Sequence, residues 1–183
     1  MSAPVALRPR VMNCLTNNLP ALAPDAPALR RMNMASKQRI LRVLKVQDLD
    51  DIVAIDEAAS QQPRREYYEK KIASILNRKA NTNCSIVCEE DGKVVGFVMG
   101  YMFFGEFGIS DATATIDALG VHPDFRKFGV ASEMLEQFMM NMKAVGVKKV
   151  YTLVNWDDFA LERFFARQKF VPSKRINLEF ELP

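Results

Sequence analysis

No apolar run in the sequence approaches the ~18 residues that a membrane-spanning helix needs, and no membrane partner is expected. Cysteine is scarce: Cys14, Cys84 and Cys88 are the three. An odd count without a Cys-x-x-Cys pair does not form a metal or disulfide framework, and it reads as free thiols in a reducing cytoplasm with no metal cofactor. Neither Gly-x-x-x-x-Gly-Lys-Ser/Thr nor Gly-x-Gly-x-x-Gly occurs, which leaves out the common nucleotide and dinucleotide loops. Histidine occurs once, as His122. Acids are almost missing from residues 1–38, where Asp25 stands against Arg8, Arg10, Arg30, Arg31 and Lys37, a net charge of +4. The remainder holds 20 bases and 21 acids, so the folded part is near neutral and has no broad basic face for nucleic acid. There are no internal repeats.

What is present is ordinary for a soluble globular protein: 49% hydrophobic and 26% charged residues in a chain of 183, enough for one domain with an appended arm. Residues 1–37 read as a flexible N-terminal extension, because Pro4, Pro9, Pro20, Pro24 and Pro27 interrupt any periodicity. A transit-type peptide and an over-long start ahead of Met32 and Met34 are the alternatives. Residues 38–183 read as the domain.

Along that domain, Arg39 to Val46 alternates as a first strand. Asp48, Asp50 and Asp51 offer capping acids for a helix through Ile52, Val53, Ile55 and Ala59. A second helix starts near Pro63, with an apolar stripe of Tyr67, Tyr68, Ile72, Ile75 and Leu76. Its bases, Arg64, Arg65, Lys70, Lys71, Arg78 and Lys79, read as a solvated face. Ser85–Glu89 and Lys93–Phe104 are strands joined by an Asp91-Gly92 hairpin, and Gly96 and Gly100 thin one side of the second. After a turn through Glu106 to Ser110, Ala112–Val121 is the fourth strand. A helix follows to Gly146, then a fifth strand over Lys149–Val154. A helix capped by Asp157 or Asp158 runs through Leu161, Phe164 and Phe165. Phe170-Val171 and an alternating Arg175–Leu182 are expected to close the sheet. The class is α/β in the mixed α+β sense: early helices, an antiparallel meander, then a strand–helix–strand crossover.

The densest signal is Asp117–Ser132. A strand stops at Pro123, a basic turn with one glycine follows, and helical spacing begins at Val130 with Met134, Leu135, Phe138, Met139 and Met142. Free N–H groups and the positive end of the helix dipole make an anion site there, suited to a phosphate or pyrophosphate.

Arg126-Lys127-Phe128-Gly129-Val130-Ala131, after Leu119-Gly120-Val121-His122-Pro123, resembles the Arg/Gln-x-x-Gly-x-Gly/Ala signature of the GNAT superfamily of N-acetyltransferases. The resemblance covers about residues 38–182. It implies a mostly antiparallel sheet splayed between its fourth and fifth strands and flanked by helices, with acetyl-CoA as acyl donor. It also implies attack by an amine acceptor, a small molecule or protein amine, within a ternary complex. The N–H groups of Lys127, Phe128, Gly129, Val130, Ala131 and Ser132 would hold the pyrophosphate, with Arg126 and Lys127 adding charge. Leu119, Gly120 and Val121 would pair with pantetheine, a backbone N–H near Leu119 or Gly120 polarising the thioester. Asn155 and Asp158 are the candidates beyond the fifth strand, although Asp158 equally suits a helix cap. A cytoplasmic location is expected, and a homodimer stays open. A binding module without turnover is the rival reading.

The proton chemistry is less defined. Many relatives carry a tyrosine where counting back from Phe170 places Phe165, and a glycine where Lys169 stands. An amine of pKa ~10.4 needs a base, and Asp117 is the first candidate, expected on the face of Leu119 and Val121. A buried structural hydrogen-bonding role is its alternative. Glu106 is the second candidate. His122 suits a turn better than acid–base work. Phe103, Phe104 and Phe107 suit packing better than an acceptor pocket, and Trp156 is a contact candidate.

Overall fold

The structure, a computed structural model, describes residues 39–77, 84–104 and 108–182. The N-terminal extension, Arg78, Lys79, Glu106 and Phe107 lie outside the described residues. Five strands form one sheet in chain order: β1 (Arg39–Val43), β2 (Ser85–Glu90), β3 (Lys93–Phe104), β4 (Ala112–Val121) and β5 (Lys149–Thr152). The first four run antiparallel, and β5 joins β4 in parallel through the crossover helix α3 (Val130–Ala144). The fold is therefore mixed α+β as expected, with α1 (Leu49–Ser60), α2 (Arg65–Asn77) and α4 (Phe159–Arg167) completing four flanking helices. No helix among the described residues is long and apolar enough to cross a membrane.

Two apolar clusters sandwich the sheet. On one face α1 and α2 set Ile52, Ile55, Tyr68 and Ile72 against Val87, Phe97 and Met99. On the other, α3 and α4 set Val130, Met134, Leu135, Phe138, Met142 and Phe165 against Ile86, Val98 and Ile116. Residues Val94–Gly100 of β3 are buried throughout, as a strand covered on both faces must be. Gly96 and Gly100 open the face on which Val130, Met134 and Phe138 seat.

The expected capping acids do other work. Asp48 is 4% exposed; its carboxylate takes two hydrogen bonds from Arg42, each 2.8 Å, and one from the Lys45 N–H at 2.7 Å. Asp51 accepts the Val94 N–H at 3.0 Å, tying α1 to β3. Asp50 pairs with Arg65 on the surface. Two expectations at the other end need correction. Strand five stops at Thr152, and Arg175–Leu182 forms no strand. Phe170 does pack, its ring 5.0 Å from that of Phe165, but residues 171–182 are exposed. Alternation gives a segment strand propensity, whereas a strand exists only where a ladder partner lies alongside.

Candidate active site

The β3–β4 ladder pairs Met99 with Ala118 and then Gly100 with Ile116, so Asp117 is an extra residue, a β-bulge. The bulge breaks the period-2 alternation. Ala114 and Ile116 lie with Leu119 and Val121 in the α3/α4 cluster, whereas Ala118 belongs to the α1/α2 cluster. A Cβ on Gly120 would run into Phe97 and Ile55, placing Gly120 on that second face too. Asp117 is therefore not on the face of Leu119 and Val121, as strict alternation predicts. It turns to α2 and ion-pairs with Lys71. Its side chain is 39% exposed, so it is not a buried structural group either.

Lys71 is correspondingly not on a solvated face: its side chain is 11% exposed, and its ammonium also donates to the Tyr67 hydroxyl at 2.7 Å. Burial pulls the Lys71 pKa down, but the hydrogen bonds to Asp117 and Tyr67 outweigh it and leave it raised. Beside this pair, Arg64 forks onto Asp56, which also accepts the Tyr68 hydroxyl at 2.9 Å. Burial, then the Asp56 carboxylate, pushes the Tyr68 phenol up.

β4 pairs with β5 only from Thr113 to Ile116, so from Asp117 onward the two strands part. The gap opens into a cleft of about 870 Å³. Asp117 to Val121 form one wall, α1, α2 and the segment between them add Asp56, Arg64, Tyr67 and Tyr68, and Asn155, Leu161, Phe164 and Arg167 face them. At its far end stand Arg126, Lys127, Gly129, Val130, Ala131 and Ser132. Lys127 and Gly129 take φ of +68° and +84°, left-handed values that curl the chain into the helix start. The first helical hydrogen bond of α3 is Glu133 N–H to Gly129 O at 3.0 Å, so the N–H groups of Val130, Ala131 and Ser132 precede the helical ladder.

Other candidates fall at the margins. The Phe128 carbonyl accepts Arg39 at 2.9 Å, and the same guanidinium reaches Glu133 at 2.7 Å, pinning the loop to β1. Arg126 donates from Nε to the Val121 carbonyl at 3.2 Å. Ser132 Oγ accepts Gln168 at 2.9 Å. Asp158 caps α4, accepting the Leu161 N–H at 3.0 Å, and does not line the cleft, whereas Asn155 does. His122 accepts the Asp124 N–H at 3.3 Å and caps the turn Pro123–Phe125.

The sequence model of the acetyltransferase (GNAT) family matches residues 47–170. The chain belongs to this family. An acetyltransferase of Pectobacterium atrosepticum is 29% identical over 97 residues, which span 52% of this chain and 64% of that relative. Solved structures share the fold. A transcriptional regulator from Bacillus halodurans C-125 has a TM-score of 0.68 and 16% identity, with 79% of this chain and 100% of that one covered. An aminoglycoside N-acetyltransferase in complex with coenzyme A has a TM-score of 0.67 and 13% identity, with 80% and 96% covered.

In this GNAT domain the aromatic of α4 that lines the cleft is Phe164; Phe165, the position reached by counting back from Phe170, is 4% exposed and packs in the core. Neither carries a proton. Sequence reasoning missed Tyr67 and Lys71, which read as helix stripe and helix surface. The signal that could have found them is a tyrosine and a lysine four residues apart on a helix that abuts the motif strand.

Proposed function

We propose that the protein is an acetyl-CoA-dependent N-acetyltransferase acting on an amine in a ternary complex. The observation that carries this is one continuous cleft joining the parted edge of β4 to the left-handed loop and helix start of α3. Pyrophosphate would sit against Lys127–Ser132, with Arg126 and Lys127 contributing charge, and pantetheine would pair along Leu119, Gly120 and Val121. Asn155 would contact the pantetheine from the opposite wall. The residues fit the donor, since an anion meets the helix start and an extended amide chain meets unpaired strand backbone.

Asp117 lines the same cleft and would lie at the thioester end, where it would anchor the acceptor ammonium and take its proton. Its pairing with Lys71 shows that it holds an ammonium, which an acceptor amine would replace. Glu106 remains the second candidate base. Tyr67 is a hydroxyl within the same cleft that could serve the leaving thiolate. Burial pushes the Cys84 and Cys88 thiols up to about 11, so neither suits an acyl-enzyme intermediate, which supports direct attack.

A thiol-release assay with acetyl-CoA and a panel of amines tests the proposal. Release that depends on an amine supports it. Binding of acetyl-CoA without release on any acceptor favours the second reading, a non-catalytic acyl-CoA module, which the protonless Phe164 and Phe165 recommend.

A further inference from the structure

The cleft is short of free negative charge. Among the described residues its only carboxylates are Asp56 and Asp117, against Arg64, Arg126, Lys127 and Arg167. Asp56 is 8% exposed and already accepts Arg64 Nε at 2.8 Å, a second Arg64 nitrogen and the Tyr68 hydroxyl. Asp117 is left as the carboxylate that an incoming ammonium can reach, and it holds Lys71. A polyamine or other polycation would meet more positive charge here than negative.

Displacing Lys71 has a consequence of its own. With Asp117 taken, its mostly buried ammonium keeps the Tyr67 hydroxyl at 2.7 Å and loses its counter-ion. A buried charge left unpaired is strongly unfavourable. An acceptor restores the balance by bringing an anion with it. Arg64 adds a second cation at the same place. It lines the cleft, its side chain is 45% exposed, and its Nη1 donates no hydrogen bond among the described residues. Arg64 Cζ lies 5.8 Å and Lys71 Nζ 4.9 Å from the centre of the Tyr67 ring, so the two cations flank one half-exposed aromatic.

We infer, on the basis of the acyl transfer proposed above, that the acceptor is an amino acid, an amine that carries its own carboxylate. Its ammonium takes the place of Lys71 on Asp117, and its carboxylate turns to Lys71 and Arg64 beside the Tyr67 ring. The ammonium yields one proton to Asp117, and the freed nitrogen lone pair forms the N–C bond to the acetyl carbon. The C–S bond breaks with its electron pair on the sulfur of coenzyme A. That thiolate takes the second proton of the nitrogen and leaves as the thiol.

Thiol release from saturating acetyl-CoA, measured with each common L-amino acid, its own carboxamide and spermidine, tests the inference. The best amino acid should exceed its carboxamide about tenfold or more in kcat/KM, the scale of one charge-assisted hydrogen bond, and spermidine should fall below it. Lys71→Gln should collapse most of that ratio, because the carboxamide gains an open Asp117 while the acid loses a cation, and Lys71→Arg should retain it. A carboxamide or spermidine that matches the best amino acid overturns the inference, as does a folded Lys71→Gln that keeps the full ratio. The wild-type comparison decides alone if the variants misfold. Should no acceptor release thiol, calorimetric titration of the same pairs into wild-type protein saturated with coenzyme A decides. Tighter binding of the amino acid then supports the acceptor class while the transferase reading fails, and equal binding or none overturns the class.

Discussion

Single residues set much of the local backbone, and Lys169 shows how. It holds φ at +68° in the turn that closes α4, with its N–H on the Ala166 carbonyl and the Phe170 N–H on that of Phe165, each at 3.0 Å. The turn that glycine makes in relatives is thus retained by a lysine under strain. Lys169→Gly should raise stability by up to about 1 kcal/mol, read as a higher denaturant midpoint, because left-handed backbone costs a side chain roughly that much. Gly129 is the converse case at φ +84°. Gly129→Val should cost acetyl-CoA affinity about tenfold or more in calorimetric titration, since strain and bulk both fall on the helix start. At Asp117, the Asn variant should keep donor affinity and lose about 100-fold or more in turnover, the usual scale of a missing general base. Near-normal turnover would remove Asp117 from the proposed chemistry.

At the scale of elements, the β1–α1 junction hangs on the Asp48 carboxylate. Burial acts to raise its pKa, but the Arg42 hydrogen bonds and the Lys45 N–H prevail and hold it below its ordinary 3.8. The folded state therefore binds a proton more weakly than the unfolded chain. The stabilisation is complete above about pH 4 and is lost as pH falls through the depressed folded value. Urea midpoints should fall between pH 6 and pH 3, and Asp48→Asn should remove part of that slope. The same variant should cost about 3 kcal/mol at neutral pH, near the lower end for breaking a buried pair, because Arg42 keeps Glu89 at 2.7 Å. The bulge at Asp117 works at this scale too, by moving a carboxylate from one sheet face to the other.

The whole molecule couples donor binding to folding, because the cleft is assembled from β4, α1, α2, α3 and α4 together. Acetyl-CoA at 100 times its dissociation constant should add about 2.7 kcal/mol of stability. For a domain of this size that amounts to a rise of roughly 5–10 °C in Tm by thermal shift. ATP or NAD giving a larger shift than acetyl-CoA would overturn the donor assignment.

Sequence by itself determined what depends on neighbours along the chain: the strand–loop–helix around Gly129, the Asp91-Gly92 hairpin, the helical stripe from Val130 to Met142, and through these the family. Local spacing dictates such features, since turn geometry and helix periodicity act over a few residues. Only the tertiary structure decided which face Asp117 takes, because a bulge appears where two strands disagree in register. It also decided that Lys71 is tucked beneath Tyr67, that Phe164 rather than Phe165 meets the cleft, and that Arg39 holds the loop from 94 residues away at Glu133. The same holds for Arg175–Leu182, whose alternation is legible in the sequence. Whether it becomes a strand depends on an edge that no stretch of nearby residues supplies.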